Sequence, residues 1–340
     1  MVWRYDGPGG YNHVWLLGWT GGSGSGKQSG GAKMAGRNQP SSPGRMIHDP
    51  RQAGGEAVVV PSRIYRDARE AGGASTFEKA PRLPDDAFGN PWLNNDNEIR
   101  MMNPPPEDKA RPMDFGYLGD APILSVTDMN WKIAGTGDFN KDGHTDLLWR
   151  YDGPGGYNYV WFMNGTTYIG ATALASVTDL NWKIVGTGDF NNDGHIDILW
   201  RYAGAAGYVH VWFMVGTTDG GSRALPSVEN MNWEVGGTGD FNGDNKVDIL
   251  WRYYGAEGYN SVWYMDGWMY AGSACLAAVP DPNWRIEGSA DFNSDGYADV
   301  LWRYYGPGGY VKVCFLAGTA DGGVRDLPAV PDLNWKIVSR

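Results

Sequence analysis

The chain has almost no cysteine: Cys275 and Cys314 are the only two in 340 residues. No disulfide framework can therefore hold it, and a single bridge or two free thiols are the readings left open. It has no run of 18 apolar residues, which excludes a membrane-spanning helix. It also lacks an excess of base. Lys and Arg number 28 against 39 Asp and Glu, a net charge of −11, whereas a nucleic-acid surface needs a basic face. That balance suits cations or neutral ligands. Histidines number five, no Ser or Cys lies in a nucleophile context, and no carboxylate pair stands apart from the acidic loops described below. An enzyme is not expected.

What the chain has instead is glycine (51), tyrosine (19) and tryptophan (17). That mixture favours short strands joined by tight turns. The tetrapeptide Asn-Trp-Lys/Arg/Glu-Ile/Val recurs with its indole at Trp131, Trp182, Trp233, Trp284 and Trp335, each step being 51 residues. A fixed period of this size marks a repeat architecture.

One unit reads as four strands. Trp131–Gly137 alternates apolar and small residues. An acidic loop, Asp138–Asp146, leads to a second strand, Leu147–Tyr151. A Gly/Pro turn at 152–156 leads to a third, Tyr157–Met163, and Asn164-Gly165 to a weaker fourth, Thr167–Ala175. Four strands per unit describe a β-propeller blade. Val2–Tyr5 matches a second strand and Tyr11–Leu17 a third, while Asn334–Val338 matches a first strand. The expectation is an all-β, five-bladed β-propeller whose last blade is closed by strands from both termini, hiding edges that would otherwise pair with other chains. An open array pairing through those ends is the alternative. Met1–Tyr5 reads as repeat rather than leader, so any export signal is expected to have been removed.

Fourteen of the tryptophans fall into three registers. Besides the Asn-Trp series there is a Trp-Arg series (Trp3, Trp149, Trp200, Trp251, Trp302) and a Val-Trp series (Trp15, Trp161, Trp212, Trp263). Cys314 takes the tryptophan's place in the last Val-Trp position and reads as a buried apolar thiol. Indoles in such registers either pack between blades or line pockets where a sugar can stack. Trp149, Trp200, Trp251 and Trp302 are the candidate ligand-binding set. His13 and His210 share one register with Tyr159, Ser261 and Lys312, which reads as a tolerant blade surface.

The four acidic loops carry oxygen side chains at positions 1, 3, 5 and 9. These are Asp138, Asn140, Asp142 and Asp146; Asp189, Asn191, Asp193 and Asp197; Asp240, Asn242, Asp244 and Asp248; and Asp291, Asn293, Asp295 and Asp299. Calcium takes six to eight hard oxygen ligands, and alternate residues of a tight loop can supply them. Position 7 (His144, His195, Lys246, Tyr297) would give only its backbone carbonyl. Position 6 is glycine for a left-handed turn, except at Asn245, the residue that tolerates that backbone best after glycine. Turn-capping aspartates are the plain alternative, and magnesium fits the flexible loop less well. About four Ca2+ sites are expected, since the split blade has no such loop.

The string Gly-Asp-Phe-Asn-x-Asp-Gly-x-x-Asp-x-Leu-Trp-Arg resembles the FG-GAP/VCBS repeat family of secreted bacterial proteins, over residues 1–20 and about 114–340. The resemblance implies a calcium-stabilised, extracellular propeller used for adhesion or ligand binding, lectin-like in some members. A glycan or protein partner follows from it.

Residues 21–113 break the period between the third and fourth strands of the split blade. They open on a flexible Gly/Ser linker and are too poor in aliphatic residues to bury a core of their own. Gly21–Lys27 has phosphate-loop spacing, but Gln28 replaces the metal-binding Ser/Thr and no helix pattern follows. The segment reads either as an inter-subunit arm, making the protein a subunit of an extracellular filament or homo-oligomer, or as an engineered insertion.

Overall fold

A computed structural model describes residues 1–7, 9–20 and 114–338, without the side chains of 18–20 and 114. Every regular element among them is a strand. The chain begins with β1 (Val2–Tyr5) and β2 (Asn12–Thr20), and β3 (Asp114–Ile123) follows. Blade 1 is β4 (Trp131–Gly137), β5 (Asp146–Tyr151), β6 (Asn158–Asn164) and β7 (Thr167–Leu174). Blade 2 is β8 (Trp182–Gly188), β9 (Asp197–Tyr202), β10 (Val209–Val215) and β11 (Thr218–Leu225). Blade 3 is β12 (Trp233–Gly239), β13 (Asp248–Tyr253), β14 (Asn260–Asp266) and β15 (Met269–Leu276). Blade 4 is β16 (Trp284–Ala290), β17 (Asp299–Tyr304), β18 (Val311–Ala317) and β19 (Ala320–Leu327). Strand β20 (Trp335–Ile337) ends the series.

The result is an all-β, five-bladed propeller of four-stranded antiparallel sheets. Blade 5 has the order β20-β1-β2-β3. Its closure is short: Trp3, Arg4 and Tyr5 pair with Ile337, Lys336 and Trp335. The expected split blade is therefore present. The arm expected across residues 21–113 lies outside the described residues.

Strand alternation sends successive side chains of each blade to opposite neighbours. Leu147, Trp149 and Trp161 pack with Val2 and Ile123 of blade 5. Leu148, Val160 and Leu174 of the same blade pack with Trp182, Ile198 and Trp200 of blade 2. The core is thus a set of interblade layers rather than one central mass. The inner strands are tied directly: the Thr187 hydroxyl donates to the Thr136 carbonyl at 2.7 Å and the Thr238 hydroxyl to the Thr187 carbonyl at 2.6 Å. Ser289 donates to Thr238 at 2.9 Å. A residue with a side chain at Gly135 or Gly186 would collide with the methyl of the next threonine in that ladder.

The Trp-Arg strand supplies a second tie. Arg4, Arg150, Arg201, Arg252 and Arg303 are all at most 5% exposed. Each guanidinium lies over the indole of the next blade. Arg4 lies 5.5 Å from Trp149, Arg150 5.1 Å from Trp200, and Arg201 4.9 Å from Trp251. Arg252 lies 4.8 Å from Trp302, and Arg303 closes the ring 4.6 Å from Trp3. Desolvated cation–π contacts of this kind contribute about 2 kcal/mol each. The guanidinium N–H groups are taken up by backbone: the Nη2 atoms donate to the carbonyls of Val126, Val177, Val228, Val279 and Val330. Those carbonyls sit tightly against Gly10, Gly156, Gly207, Gly258 and Gly309, where any Cβ would overlap the carbonyl oxygen and φ lies between 51° and 60°. Only glycine serves there.

The ring is not uniform. Nη1 of Arg4, Arg150 and Arg252 donates to Asn12, Asn158 and Asn260. These amides in turn donate to the carbonyls of Leu124, Ala175 and Ala277. In blades 2 and 4 the same strand position holds Val209 and Val311, and Nη1 of Arg201 and of Arg303 is buried without an acceptor among the described residues. A buried donor left unmade costs about 1–3 kcal/mol. Val311→Asn is therefore expected to stabilise the protein by about 1 kcal/mol, raising the melting temperature. A lower melting temperature would show that the isopropyl group contributes more than the missing hydrogen bonds.

Candidate functional site

Antiparallel connection puts two kinds of loop at each end of the propeller. One end carries the acidic loops and the turns between third and fourth strands. The other carries the turns between second and third strands and the connections from blade to blade.

In each acidic loop the backbone is curled by two left-handed residues. Position 6 is one, with Asn245 at φ 62° in the expected role. Position 4 is the other, where Lys141, Asn192 and Ser294 have φ between 57° and 60°. The carboxylate at position 1 caps the loop's amides: Asp138 accepts from the N–H of Asp142 at 3.1 Å and of Gly143 at 2.9 Å. Asn140 Oδ1 accepts from Asp142 N–H, Asn140 Nδ2 donates to Asp142 Oδ2, and Asp142 Oδ1 accepts from His144 N–H. The loops from Asp189 and Asp291 repeat this pattern. In the loop from Asp240 one oxygen takes three amides, those of Asn242, Gly243 and Asp244.

Position 9 behaves differently. Asp146, Asp197, Asp248 and Asp299 are 0% exposed. One oxygen of each accepts from the N–H of the loop's phenylalanine (Phe139, Phe190, Phe241, Phe292). The other accepts from the third strand, at Met163, Met214, Met265 and Leu316. These carboxylates bolt the loop to the blade. Burial pushes Asp197 up to about 7 and Asp248 and Asp299 up to about 6, and Asp146 upward as well, against the pull of the two amides on each. At position 5, hydrogen bonds from Asn140 and His144 N–H lower Asp142. The donor types suit a hard cation, with oxygens at positions 1, 3 and 5 on one tight loop and a backbone carbonyl at position 7. Among the described residues, however, no three His, Cys, Asp or Glu side chains converge to hold a metal. Side chains at position 7 contact the neighbouring turn instead: His195 Nδ1 accepts from Gly216 N–H at 3.1 Å, and Lys246 pairs with Asp266 at 2.8 Å.

The candidate ligand indoles lie elsewhere than expected. Trp149, Trp200 and Trp251 are 0% exposed and Trp302 6%, each beneath an arginine of the preceding blade. They are interblade core, with no face left for a sugar. The His13/His210 register is corrected too. Tyr159 and His210 are buried edge-on against Trp131 and Trp182, and Lys312 Nζ lies 3.9 Å over the ring of Trp284. That register supports the first-strand tryptophan and is not a tolerant surface. His13 also pairs with Asp120 at 3.1 Å, which accepts from the Tyr117 hydroxyl at 2.6 Å. Cys275 and Cys314 are not joined in a disulfide. Cys314 is buried as expected, its thiol pushed up to about 12.

A further aromatic register, which reaches the surface most fully at Tyr11 and Tyr310, is not among those drawn from the sequence. Each blade carries a row of three rings, Trp–Tyr–Tyr, at the end opposite the acidic loops. In blade 1 Trp131 lies 4.9 Å from Tyr151, which lies 5.9 Å from Tyr157. The rows Trp182–Tyr202–Tyr208, Trp233–Tyr253–Tyr259, Trp284–Tyr304–Tyr310 and Trp335–Tyr5–Tyr11 repeat it. Tyr11 and Tyr310 are 52% and 55% exposed. The signal was a tyrosine directly after the glycine that ends each 152–156-type turn, at the same 51-residue period. Between rows lie interblade pairs: Asp6–Lys132 at 3.1 Å, Asp152–Lys183 at 2.9 Å, and two cation–π contacts, Arg285 over Tyr254 and Lys336 over Tyr305.

Comparison with known families adds one match. The family model described as FG-GAP-like repeat covers residues 138–200. The chain carries an FG-GAP-like repeat. The match runs from the first aspartate of the blade 1 loop to Trp200, so it takes in two acidic loops and somewhat more than one repeat period. The FG-GAP-like segment therefore includes both buried position-9 carboxylates, Asp146 and Asp197, and one Arg–Trp contact of the ring. No curated protein matches the chain.

The raised position-9 carboxylates make a pH prediction. Their folded values lie above that of an unfolded aspartate, about 3.9. Their stabilisation is thus fully present below about pH 4 and lost as pH rises through about 6 to 7. In chelator, melting temperature is expected to climb between pH 8 and pH 5; a fall across that window would contradict the assignment.

Proposed function

We propose that the protein is a non-catalytic, secreted recognition propeller that engages a glycan or protein surface through its Trp–Tyr–Tyr face. The observation that carries the reading is the repetition of that row in all five blades at one end of the ring. Tyrosine offers large, rigid, amphipathic contact area at little entropic cost, which suits it to recognition surfaces. Several equivalent sites on one rigid body bind a repetitive partner with avidity beyond any single site. Among the described residues no catalytic constellation gathers, and no helix is long and apolar enough to cross a membrane.

Calcium completes the proposal. Asp138, Asn140, Asp142 and the carbonyl of His144, with their counterparts in the other three loops, would hold it. The ion would neutralise carboxylates that now lean on backbone amides. Each ion would stabilise the fold by about 2.7 kcal/mol at a hundredfold excess over Kd. Scanning calorimetry with and without chelator tests this, and an unchanged melting temperature would refute it.

The face itself is tested with Tyr11→Ala/Tyr310→Ala. Both rings are largely exposed, so the melting temperature should hold. Binding to a glycan array or to an immobilised extracellular-matrix digest is expected to fall at least tenfold. Retained binding in the double variant would move the recognition surface elsewhere.

A further inference from the structure

The blades differ at one outer position. In blades 1, 3 and 5 a fourth-strand tyrosine covers the Val-Trp indole. Tyr168 lies 5.0 Å from Trp161, Tyr270 5.3 Å from Trp263, and Tyr117 4.9 Å from Trp15. Under this cover Trp161 is 3% exposed and Trp263 0%, while Trp15 stays partly buried. In blade 2 the same register, opposite Met214, holds Asp219. Trp212 is also partly buried, edge-on to Trp200 at 5.0 Å and against the same core layer as Phe162 of blade 1, with no ring over it from its own fourth strand. Asp219 is exposed; one of its oxygens accepts from Gly221 N–H at 2.7 Å and the other has no partner among the described residues. The nearest cation on this strand, Arg223, pairs opposite Val211 and lies over Trp268 of blade 3. It projects from the other side of the sheet. Blade 4 repeats the aspartate at Asp321 but has Cys314 in place of the indole, so it offers no aromatic face.

We propose that the face of blade 2 turned to blade 1, where Trp212 shares a core layer with Phe162 and Asp219 stands in the register of the covering tyrosines, binds an alkylammonium group. An indole face draws a cation through its quadrupole, and an uncommitted carboxylate at the rim adds charge and a hydrogen-bond acceptor. A lysine side chain of a partner and a free trimethylammonium headgroup share this chemistry. The site is separate from the tyrosine face, so its failure leaves that reading untouched.

The full chain, saturated with calcium, is titrated by calorimetry and saturation-transfer NMR with tetramethylammonium chloride, Nα-acetyl-lysine methylamide and the uncharged isostere 3,3-dimethyl-1-butanol. Saturable binding of at least one cation is expected, at least tenfold tighter than the alcohol. Binding of tetramethylammonium alone points to a headgroup, and of the lysine amide alone to a protein side chain. Asp219→Asn should weaken the cation at least tenfold. Asp219→Tyr, which reproduces the covered arrangement of three other blades and so should fold, should abolish binding. No saturable binding, equal affinity for the alcohol, or undiminished binding in Asp219→Tyr would overturn the proposal.

Discussion

The buried guanidinium of the Trp-Arg pair is the constraint on which the rest of the ring depends. Of the five only Arg303 feels a buried carboxylate, that of Glu287, and an arginine at most 5% exposed must find its solvation in the protein. It finds it in the indole of the next blade and in valine carbonyls of the connecting segment. One side chain thus fixes three things: the spacing of two blades, the path of the chain between them, and the glycine on which that path rests. Burial pulls Arg150 and Arg201 down to about 10, which still leaves them charged at neutral pH. Lysine could not replace it, because a point charge offers neither a planar face for the indole nor a fork for two acceptors.

The same second strand carries the opposite charge at its other end. In Asp146–Tyr151 a buried aspartate and a buried arginine stand four residues apart, with Leu147, Leu148 and Trp149 between them. Neither neutralises the other. The aspartate is solvated by two amides and the arginine by carbonyls and an indole, so each end of the strand is bound to a different part of the fold. The aspartate holds the loop to the third strand, and the arginine holds the blade to its neighbour. In blade 5 the Met1 nitrogen donates to the Trp15 carbonyl at 3.2 Å, and the Trp15 N–H donates to the Met1 carbonyl at 2.9 Å.

The architecture was legible because its determinants repeat. The 51-residue period, the Gly/Pro turns and the terminal half-strands fixed blade number, strand order and the split closure without any tertiary information. Asn245 could be placed in left-handed backbone from the loop pattern alone. Side-chain environment was less legible. A tryptophan beside an arginine reads equally well as a binding platform or as core, and only the partner blade, 51 residues away, decides. The position-9 aspartates were indistinguishable in type from those at 1 and 5. Their burial comes from strand pairing with Gly137 and its counterparts, which a loop motif does not encode. The Tyr11 and Tyr157 register was in plain view but looked like turn chemistry.

Differences between repeats say more about individual sites than the repeat itself. Blades 1, 3 and 5 pair an asparagine (Asn158, Asn260, Asn12) with an outer tyrosine (Tyr168, Tyr270, Tyr117). Blades 2 and 4 pair a valine (Val209, Val311) with an aspartate (Asp219, Asp321). The two kinds alternate along the chain, but a ring of five cannot alternate throughout. Blades 5 and 1, both of the tyrosine kind, must meet at the closure. Their outer strands expose Leu118 at 50% and Ile169 at 54%, while the corresponding residues of blades 2 and 4 are Gly220 and Gly322. An odd blade count thus turns a two-part pattern into one distinct junction, and a nominally five-fold body acquires a front.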